Sequence, residues 1–198
     1  MKVGLIGIGE LGIAVAKNMI KAGHDLHVFD TNPEAVATAV SHGATAAASA
    51  ISLAQEVEAI ITALPTPPII RAVMLDGGVL AAMAPDTVWI DHSTNDRNLL
   101  IECNEFAHGR GVHMIEAPVT GGIPLAHDGS ITVLAGTTKE AFAKYKHLLD
   151  VTGEPVLHMG PVGSATIVKV MTKIENKPTK LTMPSTTNLS TKSANLEN

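Results

Sequence analysis

The first chemistry in the chain lies in "GIGELG", Gly7 to Gly12, which falls between the apolar run "KVGLI" and the helical pattern "ELGIAVAKNMIKAG". The order G-x-G-x-x-G at a strand-to-helix turn suits a dinucleotide. Gly7 permits the tight turn, Gly9 lets the backbone approach a pyrophosphate, and Gly12 lets the helix pack on the sheet. Free N–H groups and the positive dipole end at the helix start favour the phosphates. Gly7, Ile8, Gly9, Glu10, Leu11 and Gly12 are therefore the expected cofactor loop. Asp30 ends the next apolar segment, "HDLHVFD", 18 residues beyond Gly12. A carboxylate there accepts hydrogen bonds from the adenine ribose hydroxyls. It also repels a 2′-phosphate, and "DTNPE" offers no arginine to receive one. NAD is the preferred cofactor on this reading, with NADP the alternative.

The elements that hold these residues follow from periodicity. Leu11, Val15, Met19 and Ala22 recur at helical spacing, and Gly23 closes the helix. "NPEAVATAVSHG" repeats the pattern with Pro33 in its first turn. "VEAIITALP", "TVWIDHS", "GVHMIEAP", "SITVLAG" and "EPVLHMG" read as further strands. A polar helix is expected from about Asn95 to His108, and "KEAFAKYKHLLD" reads as another. Strands alternating with helices over short connections predict a doubly wound, mainly parallel α/β sheet of Rossmann type.

Composition narrows the classes. The chain has 198 residues, enough for one well-buried domain, and a hydrophobic content of 45% supports a core. Aromatics make up only 3%, so aliphatic side chains must fill that core. A net charge of -5 argues against a nucleic-acid surface. The lone Cys103 cannot form an intramolecular disulfide, which with the absence of an uninterrupted apolar span points to a cytoplasmic protein that engages no membrane. Asp91, His92 and Ser93 hold triad chemistry, but neighbours at a strand end point apart. His24 and His27 lack the ligands that would complete a metal site, and none is expected. Cys103 reads as unreactive.

Four separated motifs, "GLIGIGELGIAVAKNMIKAGH", "ITALPTPP", "EAPVTGG" and "GPVGSATIVK", resemble the signatures of the β-hydroxyacid dehydrogenase family. That family includes 3-hydroxyisobutyrate dehydrogenase and tartronate semialdehyde reductase, with 6-phosphogluconate dehydrogenase more distant. The resemblance runs from Met1 to about Thr172. It implies that Leu64 and Pro65 line the cofactor and that Thr94 lies near the nicotinamide. It implies that Thr120, Gly121 and Gly122 hold the substrate carboxylate, where exposed glycine amides can form an anion nest. It assigns Lys169 as the catalytic lysine, exchanging a proton as hydride passes between nicotinamide and a short hydroxy acid or semialdehyde. An exposed lysine titrates near 10.4, and burial beside a cofactor would lower that value.

The chain also departs from the family. Lys173 stands where asparagine is usual, Ala165 replaces a glycine, and "NDR" follows "DHST" without the usual proline. The resemblance implies a further, all-helical domain after Lys169. Composition instead shifts to Ser, Thr, Asn and Lys. The expected organisation is a nucleotide-binding domain over 1–160, the start of an interdomain helix over 161–173, and a disordered tail over 174–198. On this reading the chain is a truncated family member with impaired catalysis. The alternative is a non-catalytic dinucleotide-binding module. In either case the apolar stripe at Ile167, Val170 and Met171 lacks its usual cover, which a second copy or a partner chain would supply.

Overall fold

The computed structural model describes residues 1–175. Its first half alternates strand and helix: β1 (Lys2–Ile6), α1 (Glu10–Lys21), β2 (Asp25–Phe29), α2 (Pro33–Ser41), β3 (Thr45–Ala46), α3 (Ala50–Glu56) and β4 (Ala59–Thr62). A short helical relay follows: α4 (Pro67–Arg71), a π-helical segment (Ala72–Asp76) and α5 (Val79–Ala82). The second half comprises β5 (Val88–Asp91), α6 (Arg97–Gly109), β6 (His113–Glu116), β7 (Val119–Thr120), α7 (Ile123–His127), β8 (Thr132–Gly136), α8 (Lys139–Thr152), β9 (Val156–Gly160) and α9 (Ser164–Glu175).

The sheet order is β3-β2-β1-β4-β5-β6-β8-β7, with β9 also paired to β8. From β3 to β6 every pairing is parallel. The chain winds outward from β1 to β3, then returns to the other side of β1 and winds to β6. Beyond β6 the direction changes, because β8 runs antiparallel to it and β9 parallel to β8. The mainly parallel, doubly wound reading therefore holds.

Alternation along each strand splits the core into two layers. Val3, Leu5, Val88 and Ile90 face Val15, Met19, Tyr145 and Leu148 from α1 and α8. Ile6, Ile60, Trp89 and Met114 face Leu53, Ile70, Leu80 and Leu100 on the opposite side. Strands sandwiched this way must be apolar at nearly every position, which is why they stand out in the sequence. Several helices begin on side-chain caps. Asn32 accepts from the Glu34 N–H, Asp96 from those of Asn98 and Leu99, and Thr138 from that of Ala141. Each such cap contributes about 1 kcal/mol.

The helix α9 reaches Glu175, and the expected tail over 174–198 falls mainly on 176–198, outside the described residues. On α9, Ile167, Val170 and Met171 are 48%, 45% and 57% exposed. Among the described residues no helix is long and apolar enough to cross a membrane.

Candidate cofactor and active site

In a parallel sheet the ligand crevice lies at the carboxyl ends of the strands, where the winding order reverses. Here that point falls between β1 and β4, and the loops leaving these strands form the walls of a cleft of about 650 Å³.

The β1 loop is rigid where it must be and open where a ligand would lie. Gly7 has φ +93°, and a Cβ there would sit 2.5 Å from the Ala63 carbonyl oxygen. A Cβ on Gly12 would come within 2.0 Å of the Gly7 oxygen, so α1 packs against its own entry turn. A Cβ on Gly9 would meet nothing within 4 Å. Gly9 is also the N-cap of α1, with an ordinary φ of -70° and no side chain to satisfy the first N–H groups. Neither packing nor backbone geometry explains this glycine, whereas a pyrophosphate lying against the helix start does. The residues present thus fit a dinucleotide.

Asp30 lines the same cleft, and its carboxylate does more than the sequence suggests. Oδ2 accepts the Ile8 N–H at 2.6 Å and Oδ1 accepts the Asn32 N–H at 2.8 Å. It therefore ties the glycine turn to the end of β2.

The opposite wall hangs on a buried polar network. Asp91 is 1% exposed and accepts from Thr62 Oγ1 at 2.8 Å, from the Ser93 N–H at 3.0 Å and from Asn95 Nδ2 at 2.9 Å. Burial pushes its carboxyl above the usual range, while those donors hold it down. Trp89 Nε1 donates to Thr62 Oγ1 at 2.9 Å, which completes the chain of bonds. Ser93 Oγ in turn accepts the Leu64 N–H at 2.9 Å and fixes the β4 loop.

The His92 ring has partners of its own. Its Nδ1 lies 2.7 Å from the Ala117 carbonyl and its Nε2 lies 3.2 Å from Thr152 Oγ1. Burial lowers its pKa to about 4, so the ring is neutral near pH 7, with the proton on Nδ1 facing the carbonyl. Asp91, His92 and Ser93 are thus committed to separate partners, and no triad forms. Burial pushes the Cys103 thiol up to about 12, in keeping with an unreactive sulfur. Among the described residues no group of three potential ligands could hold a metal.

Gly7, Gly9, Glu10, Leu11, Asp30, Leu64, Pro65, Thr94 and Lys169 all line the one cleft, although they come from five separate stretches of chain. Lys169 is half-buried on α9. Of the expected carboxylate nest, Thr120, Gly121 and Gly122 do not line this cleft, although the adjoining Val119 does. Gly121 and Gly122 have φ of +135° and +93°, a backbone that glycine adopts readily. Sequence reasoning missed His92, Ser93, Phe29, Ile69 and Val73 among the lining residues. Only His92 and Ser93, which share "DHST" with Thr94, carry a signal that could find them.

The sequence profile of the NAD binding domain of 6-phosphogluconate dehydrogenase matches residues 2–160. The chain is 35% identical over 170 residues to an NAD-dependent L-serine dehydrogenase of Pseudomonas aeruginosa, covering 85% of this chain and 57% of that protein. It is 32% identical over 169 residues to a 3-hydroxyisobutyrate dehydrogenase of the same organism, covering 85% of this chain. Among solved structures, a Mycobacterium tuberculosis 3-hydroxyisobutyrate dehydrogenase with L-serine superposes with a TM-score of 0.84 at 29% identity, covering 88% of this chain and 59% of that one. The chain thus spans somewhat over half the length of the curated relatives it matches.

Proposed function

This chain belongs to the family of NAD-binding domains typified by that of 6-phosphogluconate dehydrogenase, and from that premise we propose that it binds NAD in the β1–β4 cleft and serves a hydroxyacid dehydrogenase. The observation that carries the reading is convergence: the glycine turn, Asp30, the Leu64–Pro65 loop, Thr94 and Lys169 border a single cavity. NAD is favoured over NADP because a carboxylate at Asp30 opposes a 2′-phosphate.

When bound, the nicotinamide supplies the acceptor or donor of hydride. The chain's own residues supply the rest. The α1 N-terminus and the open face of Gly9 take the pyrophosphate, and Asp30 orients the ribose while holding the turn. Lys169 exchanges a proton with the substrate hydroxyl or carbonyl oxygen, as base in oxidation and acid in reduction. The substrate class is a short hydroxy acid, with L-serine and 3-hydroxyisobutyrate the first candidates from the named relatives. The amides of Gly121 and Gly122 and the Thr120 hydroxyl would take its carboxylate.

A second reading is favoured by the separation of Thr120–Gly122 from the cleft and by the exposed face of α9. In it the chain binds dinucleotide without turnover, and a partner or second copy completes the pocket. Titration of NADH fluorescence tests what the readings share. Turnover of L-serine or 3-hydroxyisobutyrate with NAD separates them. On the first reading Lys169→Met lowers turnover by about 10²- to 10⁴-fold while NADH affinity is kept. Failure to bind millimolar NADH would sink both.

A further inference from the structure

We propose that Glu116 is a positioning residue, the anchor that fixes α9 and thereby holds Lys169 at the cleft. Its catalytic consequence rests on the reading of Lys169 given above. Its structural content does not.

Glu116 ends β6 and is 1% exposed. Its Oε1 accepts the Ala165 N–H at 2.8 Å and its Oε2 accepts the Thr166 N–H at 3.3 Å. Both oxygens are therefore spent on the first turn of α9. A helix start is normally satisfied by a side chain at its own N-cap, whereas this acceptor comes from a strand 49 residues earlier in the chain. Burial raises the carboxyl above its usual range, and the amides of Ala165, Gly163 and Thr166 and the Thr166 hydroxyl pull it back. A buried carboxylate is costly unless it is satisfied in this way, so the group has a specific employment.

Geometry connects that employment to the lysine. Lys169 lies four residues after Ala165 and three after Thr166, one turn along the same side of the helix. Two bonds to consecutive amides set the rotation of α9 about its axis as well as its position. The outer side of α9, at Ile167, Val170 and Met171, is about half exposed. In its amino-terminal turn, by contrast, Ala165 and Thr166 are buried.

An independent feature guards the carboxylate. Gly136 is the residue opposite Glu116 where β6 meets β8. A Cβ on Gly136 would lie 2.2 Å from Glu116 Oε1 and 2.7 Å from its Cγ. No left-handed backbone calls for glycine there, so the requirement is room for the Glu116 side chain.

The test uses the full chain with three variants, Glu116→Gln, Glu116→Ala and Gly136→Ala. Amide exchange at Ala165 and Thr166 should accelerate about ten-fold or more in Glu116→Ala and Gly136→Ala. Glu116→Gln, which keeps one acceptor oxygen, should fall between these and the parent. Exchange in β1 and β5 should keep its parent rates. Unchanged exchange at Ala165 and Thr166, or equal acceleration throughout the sheet, would overturn the anchor. Should Glu116→Ala fail to fold, the other two variants decide the matter. For the lysine, NMR titration of 13Cε-labelled lysines, with the Lys169 signal assigned by Lys169→Arg, should show Lys169 shifted in Glu116→Gln and the remaining lysines unmoved. A Lys169 signal identical to the parent's would refute the positioning role. Turnover that persists in Lys169→Met would instead refute the catalytic reading and leave the exchange result standing.

Discussion

Acid should weaken this fold through His92, and the size of the effect follows from its surroundings. The ring is 2% exposed, donates from Nδ1 to the Ala117 carbonyl and has its pKa lowered by burial from 6.5 to about 4. A folded-state pKa below the unfolded one means that protons prefer the unfolded chain. The stabilising contribution is complete above pH 6.5 and is lost as pH falls toward 4. At about 1.4 kcal/mol per pKa unit, that span amounts to about 3 kcal/mol. The raised carboxyls of Asp91 and Glu116 act in the opposite sense, since their folded forms hold protons more readily and gain stability as pH falls. The comparison must therefore be with His92→Gln, which keeps both carboxyls and removes the imidazole. Loss of the hydrogen bond should cost the variant about 1 kcal/mol at neutral pH. Urea denaturation followed by circular dichroism would then give two stability curves that cross between pH 6.5 and 4, with the variant the more stable at the acid end. Parallel curves would refute the reasoning, because they would mean that His92 takes up its proton in the folded state at no cost.

The glycine loop separates binding from stability. Gly12→Ala forces a Cβ against a backbone oxygen that cannot move aside and should cost about 3 kcal/mol or more, seen as a lower urea midpoint. Gly9→Ala should leave that midpoint within about 0.5 kcal/mol while weakening NADH binding in a fluorescence titration. Asp30→Ala frees the Ile8 amide and removes the charge that opposes a 2′-phosphate. NADH affinity should fall by about ten-fold, and the preference for NADH over NADPH should narrow in paired titrations.

The parts of this molecule legible in the sequence are those whose causes are local. A strand buried on both faces writes itself as an unbroken apolar run, so β1, β4 and β5 are plain. The turn after β1 is equally plain, because only glycine fits at Gly7 and Gly12. The helix α3 and the relay from Pro67 to Ala82 leave no readable trace in the sequence, since these helices are too short to display a period. β3, β7 and α7 were missed for the same reason. The position of Asp30 at the end of β2 is legible as a ribose contact, but its bond to Ile8 depends on how β1 and β2 pair. The anchoring role of Glu116 leaves no trace in the sequence, because its partners Ala165 and Thr166 lie far along the chain and only the tertiary fold brings them together. The family resemblance supplied Lys169, which charge pattern alone would have left as a solvated lysine on an amphipathic helix.

Trp89, the only tryptophan in the chain, is fully enclosed, and its indole nitrogen is linked through Thr62 to the carboxylate that organises the cleft wall. The protein thus carries an intrinsic optical reporter in a single defined environment. Its emission overlaps the absorption of reduced nicotinamide, so a nucleotide seated in the cleft would drain excited-state energy from one known donor. Loosening of the wall would change the same signal by admitting water to the ring. Occupancy and local opening could then be distinguished in one cuvette, by quenching without a spectral shift in the first case and by a red shift in the second.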